Sequence, residues 1–333
     1  MSDRRWTRFR MNYSDFREAT FLALPGAMTR PLRLHIPGML YHVFSRGNDK
    51  APIFRGAVDY RLFLELMEAA LTRFEAECLA YCLMGNHDHI LIRVQEETVS
   101  RVMQQLNSSY CQQFNRCHGH VGPVLQGRFG CKIVEDGEYA RTVIRYIALN
   151  PVAGFCARPE DWQWSSYRFA LGLAPVPAFL ALHRVWEAFG TTDPSIGRER
   201  LRHFVAAGVE DTFLNPLMHG SATLTARVAP LLEPLAFHRE FVRGQRHAAR
   251  PSLGELLEGR FSRRDIEDAV LIAFDRHAYT LAEIGATVGR APSTIWRWIQ
   301  RAKSRQDQPL RRDVFLRSPR RRTFAEKSRP DPL

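Results

Sequence analysis

The sequence predicts an α+β protein: an antiparallel sheet with helices on one side, followed by an all-α domain. Two observations predict this class. Short apolar strand segments alternate with helices between residues 41 and 149 and are joined by tight turns. A compact segment with helical periodicity then covers residues 252–303. At about 150 residues per domain, the 333 residues predict about two domains.

Each element follows from its own pattern. The strand segments are rich in β-branched and aromatic residues, whereas the helix segments repeat apolar residues at steps of three or four. The predicted strands are 41–44, 78–84, 87–94 and 124–134, with a turn at Gly85–Asn86. The predicted helices are 57–75, 98–117 and 137–149, and Pro151 stops the last one. No internal repeat is present.

Charge and composition narrow the function classes. The chain has 47 Lys+Arg against 35 Asp+Glu, and residues 301–333 hold 11 against 4. Such a basic tail suits contact with phosphates, and a solvated disordered tail fits the same composition.

The apolar runs are too short and too often interrupted by charges for a membrane helix or a secretory signal. With six cysteines and no C-x-x-C pair, we expect a cytoplasmic, nucleoid-associated protein with free thiols.

A histidine pair is the sharpest local feature. His87 and His89 alternate with Asp88 in a predicted strand, so both imidazoles point to the same face of the sheet. Two imidazoles side by side are natural ligands for a divalent metal. Two ordinary half-buried histidines are the alternative at this point.

A tyrosine helix is the second feature. Tyr146 and Asn150 lie four residues apart and therefore share one helix face. A tyrosine hydroxyl can act as a nucleophile, and an amide oxygen one turn away can complete a metal's ligand shell. Tyr110, on an apolar stripe, is better explained as core, and Tyr139 has no amide partner one turn on. A packed tyrosine above a capping asparagine is the alternative.

These motifs belong to a longer series. The series is Met28 to Asn48, Leu83 to His89, Gln126 to Phe129, Arg145 to Val152 and Trp164 to Tyr167. In this order it resembles the REP-associated tyrosine transposases of the HUH single-strand transposase superfamily. The resemblance covers roughly residues 28–170 and implies a ferredoxin-like sheet.

The resemblance also implies a chemistry. His87 and His89, with Asn150, would bind Mg²⁺ or Mn²⁺, and Tyr146 would form a 5′-phosphotyrosine link. The implied substrate is single-stranded DNA carrying hairpins, which the enzyme nicks and rejoins. The sequence departs from the family at Asp88, usually a bulky hydrophobic residue, and after Val152, where an arginine is common. A catalytically weak DNA-binding regulator is therefore the rival interpretation.

Further residues are candidates for DNA contact. Gln126, Arg128 and Lys132 alternate along the predicted strand 124–134 and would share one face. A solvated strand face explains them equally well. Arg30 and Arg33 in the opening segment are additional candidates.

The C-terminal segment predicts a second DNA-binding site. Residues 281–298 fit a helix-turn-helix, with Gly285 where the helices cross and Gly289 in the turn. The second helix would present Ser293, Thr294, Arg297 and Arg301 to a DNA groove. The segment 252–303 also resembles the C-terminal helix-turn-helix domain of the bacterial replication initiator protein. A helical hairpin used for packing or dimerisation is the alternative.

The predicted organisation has five parts. They are an N-terminal extension (1–27), a tyrosine transposase domain (28–171), a helical linker (172–251), a helix-turn-helix domain (252–303) and a basic tail (304–333). The predicted partners are single-stranded DNA hairpins and, through the C-terminal domain, duplex DNA. We expect no membrane partner, and an oligomer is compatible with the sequence.

Overall fold

A computed structural model describes residues 32–95, 99–208, 217–238, 241 and 243–306. The predicted extension 1–27, Arg30 and all but the first residues of the predicted tail lie outside these ranges. The chain divides into two compact units, of which the first ends at Pro251 and the second begins at Ser252.

The first unit is built on a five-stranded sheet. Its strands are β1 (Leu40–Arg46), β2 (Glu77–Leu83), β3 (His87–Arg93), β4 (Gly130–Val134) and β5 (Met218–His219). Their order is β2-β3-β1-β4-β5. The first four strands pair antiparallel, and β5 pairs parallel to β4 at the edge. With two intervening helices, β1 to β4 have the order of a ferredoxin-like β-α-β-β-α-β unit, which confirms the predicted fold class.

The helices of this unit have the following bounds. They are α1 (Ala57–Arg73), α2 (Val99–His118), α3 (Glu138–Leu149), α4 (Tyr167–Ala170), α5 (Leu182–Ala188), α6 (Pro194–Ala206), α7 (Ala222–Leu232) and α8 (Arg243–Arg246). Short 3₁₀ turns occupy Asn48–Lys50, Asn150–Ala153, Pro159–Asp161 and Glu233–Leu235.

The sheet has helices on both faces, which corrects the expectation of helices on one side. On one face, α1 and α2 pack against Tyr41, Val43 and Ile90. On the other, α3 packs with α5 and α6 against strand residues that include Leu91. The cause lies in the strands themselves: β2 is buried at six consecutive positions, and a strand that is apolar on both sides needs cover on both sides.

The segment 172–251, predicted as a linker, takes part in both cores. Val185 and Leu201 pack on the α3 side of the sheet. Leu224 and Val228 join the core on the α1–α2 side. Between them, β5 extends the sheet at the β4 edge.

Within its described residues, 252–306, the second unit has four helices. They are α9 (Leu253–Leu257), α10 (Arg263–Asp275), α11 (Leu281–Val288) and α12 (Pro292–Gln306). Its core is formed by Ile284, Ile295 and Ile299, all fully buried, with Val270 and Leu271 from α10. Among the described residues of the chain, no helix is both long and apolar enough to cross a membrane.

Candidate functional site

The histidine pair and the tyrosine helix meet on one face of the sheet. His87 and His89 project from β3 to the side that α3 covers, and their ring centroids are 5.3 Å apart. Tyr146 of α3 lies with its ring centroid 5.3 Å from that of His89. Asn150 ends α3, and its Oδ1 lies 3.5 Å from Nε2 of His87. All four candidate residues are therefore neighbours, although 57 or more positions separate the histidines from Tyr146 and Asn150 in the sequence.

The imidazoles are held in defined orientations. His87 Nδ1 lies 2.8 Å from Oδ1 of Asn86, and His89 Nδ1 lies 3.0 Å from Nε2 of His42. Both ring nitrogens of His87 therefore face amide oxygens, since Nε2 lies near Oδ1 of Asn150, and the tautomer determines which nitrogen donates. A fixed imidazole with one nitrogen donating to a partner is the usual arrangement of a metal-ligating histidine.

Burial keeps these histidines neutral. It lowers the pKa of His87 to about 4, although Asn150 opposes the shift. It also lowers the pKa of His89 well below its usual range, and the neighbouring His42 and His87 add to this effect. Neutral imidazoles at pH 7 have the lone pairs that a metal ion requires.

The types of ligand atom at this site suit a divalent metal ion. Among the residues that the structure describes, no three His, Cys, Asp or Glu side chains converge in the manner of a metal cluster. The set here is instead two imidazoles and one amide oxygen. In the tautomer of His87 that carries its proton on Nδ1, Nε2 and Oδ1 of Asn150 would be two acceptor atoms 3.5 Å apart, and a cation could bind to both.

Three further basic residues lie on the same sheet face. His42 of β1 lies 5.7 Å from Tyr146 between ring centroids and 6.3 Å from His219 of β5. Lys132 of β4 is paired with His42 across the strands and is only 3 % exposed. Burial lowers the pKa of Lys132 to about 8. The alternation of β1 could have revealed His42, but no sequence pattern predicts the two-residue strand that carries His219.

The residues predicted to form one basic strand face lie in different surroundings. Strand β4 begins at Gly130, because Gly127 has a φ of 106° and turns the chain before it. Gln126 and Arg128 are exposed in this loop, whereas Lys132 is buried beside His42. The three residues therefore do not share a strand face.

Arg33 is held by an aromatic ring. Its guanidinium carbon lies 3.6 Å from the centroid of the Phe129 ring, and its Nη2 donates to the Phe129 carbonyl at 3.0 Å. Burial and the nearby Arg128 lower the pKa of Arg33 to about 10. Phe129 thus fixes the orientation of this candidate DNA contact.

The competing tyrosines lie elsewhere. Tyr110 is 1 % exposed in the core on the α1–α2 side, where its hydroxyl donates to the Ile53 carbonyl. Tyr139 is 36 % exposed on the first turn of α3. Of these tyrosines, Tyr146 is the one whose ring contacts the histidines.

Asp88 points away from the site into the core on the α1–α2 side. It is fully buried, and neither carboxylate oxygen has a hydrogen-bond partner among the described residues. Burial raises its pKa to about 7, and Ser45 on the adjacent strand opposes the shift. A buried carboxylate between two site histidines is the least favourable feature of β3.

The second unit has the local geometry of a tight helix–turn–helix pair. A Cβ on Gly285 would lie 2.5 Å from the Arg290 carbonyl oxygen, so the close approach of α11 to the turn requires glycine. Gly289 ends α11 with a φ of 66°. Ser293 and Arg297 are exposed on α12, and Thr294 is partly exposed.

Arg301 is engaged within the second unit. Its Nη1 donates to Oε1 of Glu267 at 3.0 Å. Glu267 is 3 % exposed and also pairs with Arg263 and Arg305. Arg301 therefore takes part in an ion-pair network while its side chain stays 46 % exposed, and its contact with DNA stays a prediction. The sequence could not show this, because Glu267 lies 34 residues away on α10.

These features point to a class of protein. A helix tyrosine beside a histidine pair on a sheet of ferredoxin-like order offers a hydroxyl group of the kind that can act as a nucleophile. Residues 35–150 match the family of transposases described as IS200-like. The match supports a DNA-processing role of the transposase type.

Two solved structures are similar to the chain. A REP-associated tyrosine transposase bound to a REP hairpin shows 18% identity over 46% of this chain and 92% of its own, with a TM-score of 0.39. A putative transposase from Deinococcus radiodurans R1 shows 13% identity over 38% of this chain and 100% of its own, with a TM-score of 0.27. No curated protein matches the chain.

Proposed function

We propose that the protein is a metal-dependent tyrosine transposase that nicks and rejoins single-stranded DNA at hairpin repeats. Two contacts carry the proposal. The rings of Tyr146 and His89 lie 5.3 Å apart between centroids, and Oδ1 of Asn150 lies 3.5 Å from Nε2 of His87. The match of residues 35–150 to the IS200-like transposase family supports it.

In this proposal Tyr146 is the nucleophile. Its hydroxyl group loses its proton as the oxygen attacks the scissile phosphorus. The bond from phosphorus to the 3′ oxygen breaks, and the 3′ oxygen takes up one proton, so the step is neutral in protons. The product is a 5′-phosphotyrosine and a free 3′-hydroxyl. Attack by a 3′-hydroxyl on the same phosphorus reverses the reaction, so joining needs no ATP.

The remaining residues prepare this attack. His87, His89 and Asn150 would hold Mg²⁺ or Mn²⁺, which supplies charge stabilisation to the phosphoryl oxygens when bound. Asn86 and His42 orient the two histidines through contacts to Nδ1. Lys132, buried on the same face, offers positive charge to an entering phosphodiester.

Adduct formation by the full-length protein tests this function. The substrate is a hairpin oligonucleotide with a 5′ single-stranded extension, incubated with Mg²⁺ or Mn²⁺. We expect a metal-dependent protein–DNA adduct on a denaturing gel, mapped to Tyr146 by mass spectrometry. Tyr146→Phe should abolish the adduct and leave hairpin binding nearly unchanged. Tyr139→Phe on the same helix should form the adduct normally.

Two outcomes would contradict this assignment. An adduct that persists in Tyr146→Phe would show that another residue is the nucleophile. Hairpin binding by the wild-type protein without any adduct, on several hairpins and with both metals, would favour the rival function. That rival is a DNA-binding regulator, and the buried carboxylate of Asp88 within the site strand is the observation in its favour.

We propose a second DNA-binding function for the second unit. The exposed Ser293 and Arg297 on α12, with Thr294 beside them, would contact duplex DNA. Arg297→Ala should weaken duplex binding and reduce its salt dependence, because each lost phosphate contact lowers the slope by about one. Arg264→Ala removes the same charge from an exposed position on α10 and serves as the control. Equal effects of the two substitutions would contradict a specific role for α12.

A further inference from the structure

An exposed aromatic ring lies at the rim of the tyrosine site. Phe155 is 51 % exposed, although phenylalanine is among the side chains most often buried. It follows Asn150 by five residues, just beyond the segment that matches the transposase family. Isolated exposed phenylalanines are common on protein surfaces, so its meaning depends on where the ring is held.

Contacts on both sides connect Phe155 to the site. A Cβ built on Gly85 would lie 3.7 Å from the Phe155 ring, and Gly85 precedes Asn86 and His87 directly. The backbone N–H of Phe155 donates to the Pro151 carbonyl at 2.9 Å, next to Asn150. The ring is thus fixed between the turn that begins β3 and the turn that ends α3.

The support beneath Phe155 is rigid. Trp162 packs against it with ring centroids 5.1 Å apart. The indole Nε1 of Trp162 donates to the Leu83 carbonyl at 3.0 Å. The carbonyl of Gly85 accepts from the backbone N–H groups of Ile53 and Phe54 at 2.9 and 3.1 Å. A half-exposed ring on such a support is oriented before any ligand binds.

We propose that Phe155 is a stacking platform for a base of the single strand that flanks the scissile phosphate. The inference rests on the proposed function, since it requires single-stranded DNA in the tyrosine site. Bases of a single strand are unstacked, and every base has a π face that an aromatic side chain can cover. The ring would hold the strand without selecting its sequence, and it would place the phosphate next to it near Tyr146.

Binding measurements with matched oligonucleotides test the platform. The probes are a hairpin with a 5′ single-stranded extension and the same hairpin without it, titrated with the full-length protein by fluorescence anisotropy. Phe155→Ala should weaken binding of the extended hairpin by about 5- to 150-fold, the usual effect of losing one stacked base. Binding of the blunt hairpin should not change. Phe155→Trp should retain affinity for the extended probe, whereas Phe155→Leu should behave like Phe155→Ala.

A spectroscopic readout separates stacking from general damage. With 2-aminopurine placed in turn at each position of the extension, one position should be quenched by the wild-type protein and by Phe155→Trp but not by Phe155→Leu. The proposal is wrong if Phe155→Ala binds the extended probe normally, or if it loses both probes equally. A change of oligomeric state in Phe155→Ala would also overturn it, because the ring would then serve a protein contact.

The experiments distinguish a failure of the platform from a failure of the proposed function. If the wild-type protein binds the extended hairpin and forms the Tyr146 adduct while Phe155→Ala is indistinguishable from it, only the platform fails. If the wild-type protein neither forms the adduct nor prefers the extended hairpin over the blunt one, the proposed function fails, and the platform fails with it.

Discussion

Removing the charge of Asp88 should stabilise the protein, and increasingly so as the pH rises. The carboxyl group is fully buried between the two site histidines along β3, and Ser45 on the adjacent strand stabilises its charge only in part. Burial raises its pKa from 3.8 to about 7. Because the folded-state pKa is the higher one, the folded protein holds this proton more tightly than the unfolded chain. The contribution of Asp88 to stability therefore falls as the pH rises from 3.8 towards 7, and then levels off.

The size of the effect follows from the two pKa values. At about 1.4 kcal/mol for each tenfold change in proton affinity, the full cost of the ionised side chain is about 4 kcal/mol. Near pH 5 the folded state is still protonated, and the cost is about 2 kcal/mol. Replacing the carboxylate with the isosteric amide in Asp88→Asn removes the titration while keeping the volume.

The assay is urea unfolding of wild type and Asp88→Asn at about pH 5 and about pH 8. We expect the stability difference in favour of Asp88→Asn to grow by about 2 to 3 kcal/mol between these pH values. Asp49→Asn, at an exposed position, should show no such growth. A difference that stays constant with pH, or a wild-type protein that is the more stable at pH 8, would refute the reasoning.

Three further predictions concern packing and charge. Lys132→Met should stabilise the fold by about 3 kcal/mol near neutral pH, because burial lowers the lysine pKa from 10.5 to about 8. This gain should shrink as the pH rises from 8 to 10.5 in urea unfolding, and a pH-independent gain would contradict it. Gly285→Ala should destabilise the second unit by about 1 to 3 kcal/mol, since the new methyl group would clash with the Arg290 carbonyl. Thermal unfolding checks this, with the substitution Thr287→Ala at a neighbouring exposed position as the control. Glu267→Gln should lower the melting temperature, because three arginines pair with this buried carboxylate, and an unchanged value would show that the network contributes nothing.

Most of the sheet could be predicted because its signals are local. The short apolar runs of β1, β2 and β3 and the apolar steps in α1, α2 and α3 each lie within one element, and the structure confirms these elements within a few residues. Strand β4 was predicted too long, since the sequence does not show that Gly127 adopts a positive φ. The helices on the second face were missed although β2 is a continuous apolar run, which is typical of strands covered on both sides.

The candidate site, like the sheet, could be predicted from the sequence only in part. The sequence determined that His87 and His89 share a sheet face and that Tyr146 and Asn150 share a helix face, because strand and helix periods fix the direction of side chains within an element. That the two faces meet depends on packing between elements far apart in the chain, which no local period encodes. The same packing decided that His42, Lys132 and His219 join this face.

For two charged residues, the sequence does not determine the environment of the side chain. The period of β3 places Asp88 opposite the histidines, but only the tertiary structure shows that this face is closed by α1 and α2, so that burial raises the pKa of the carboxyl group. Likewise, the position of Arg301 on α12 suits a DNA-facing side chain, but only the fold shows that this arginine also pairs with the buried Glu267. The sequence specifies which groups are present and which way each points along its own element. The environment of each group depends on long-range packing, and that environment determines whether a charge is paired, buried or available for binding.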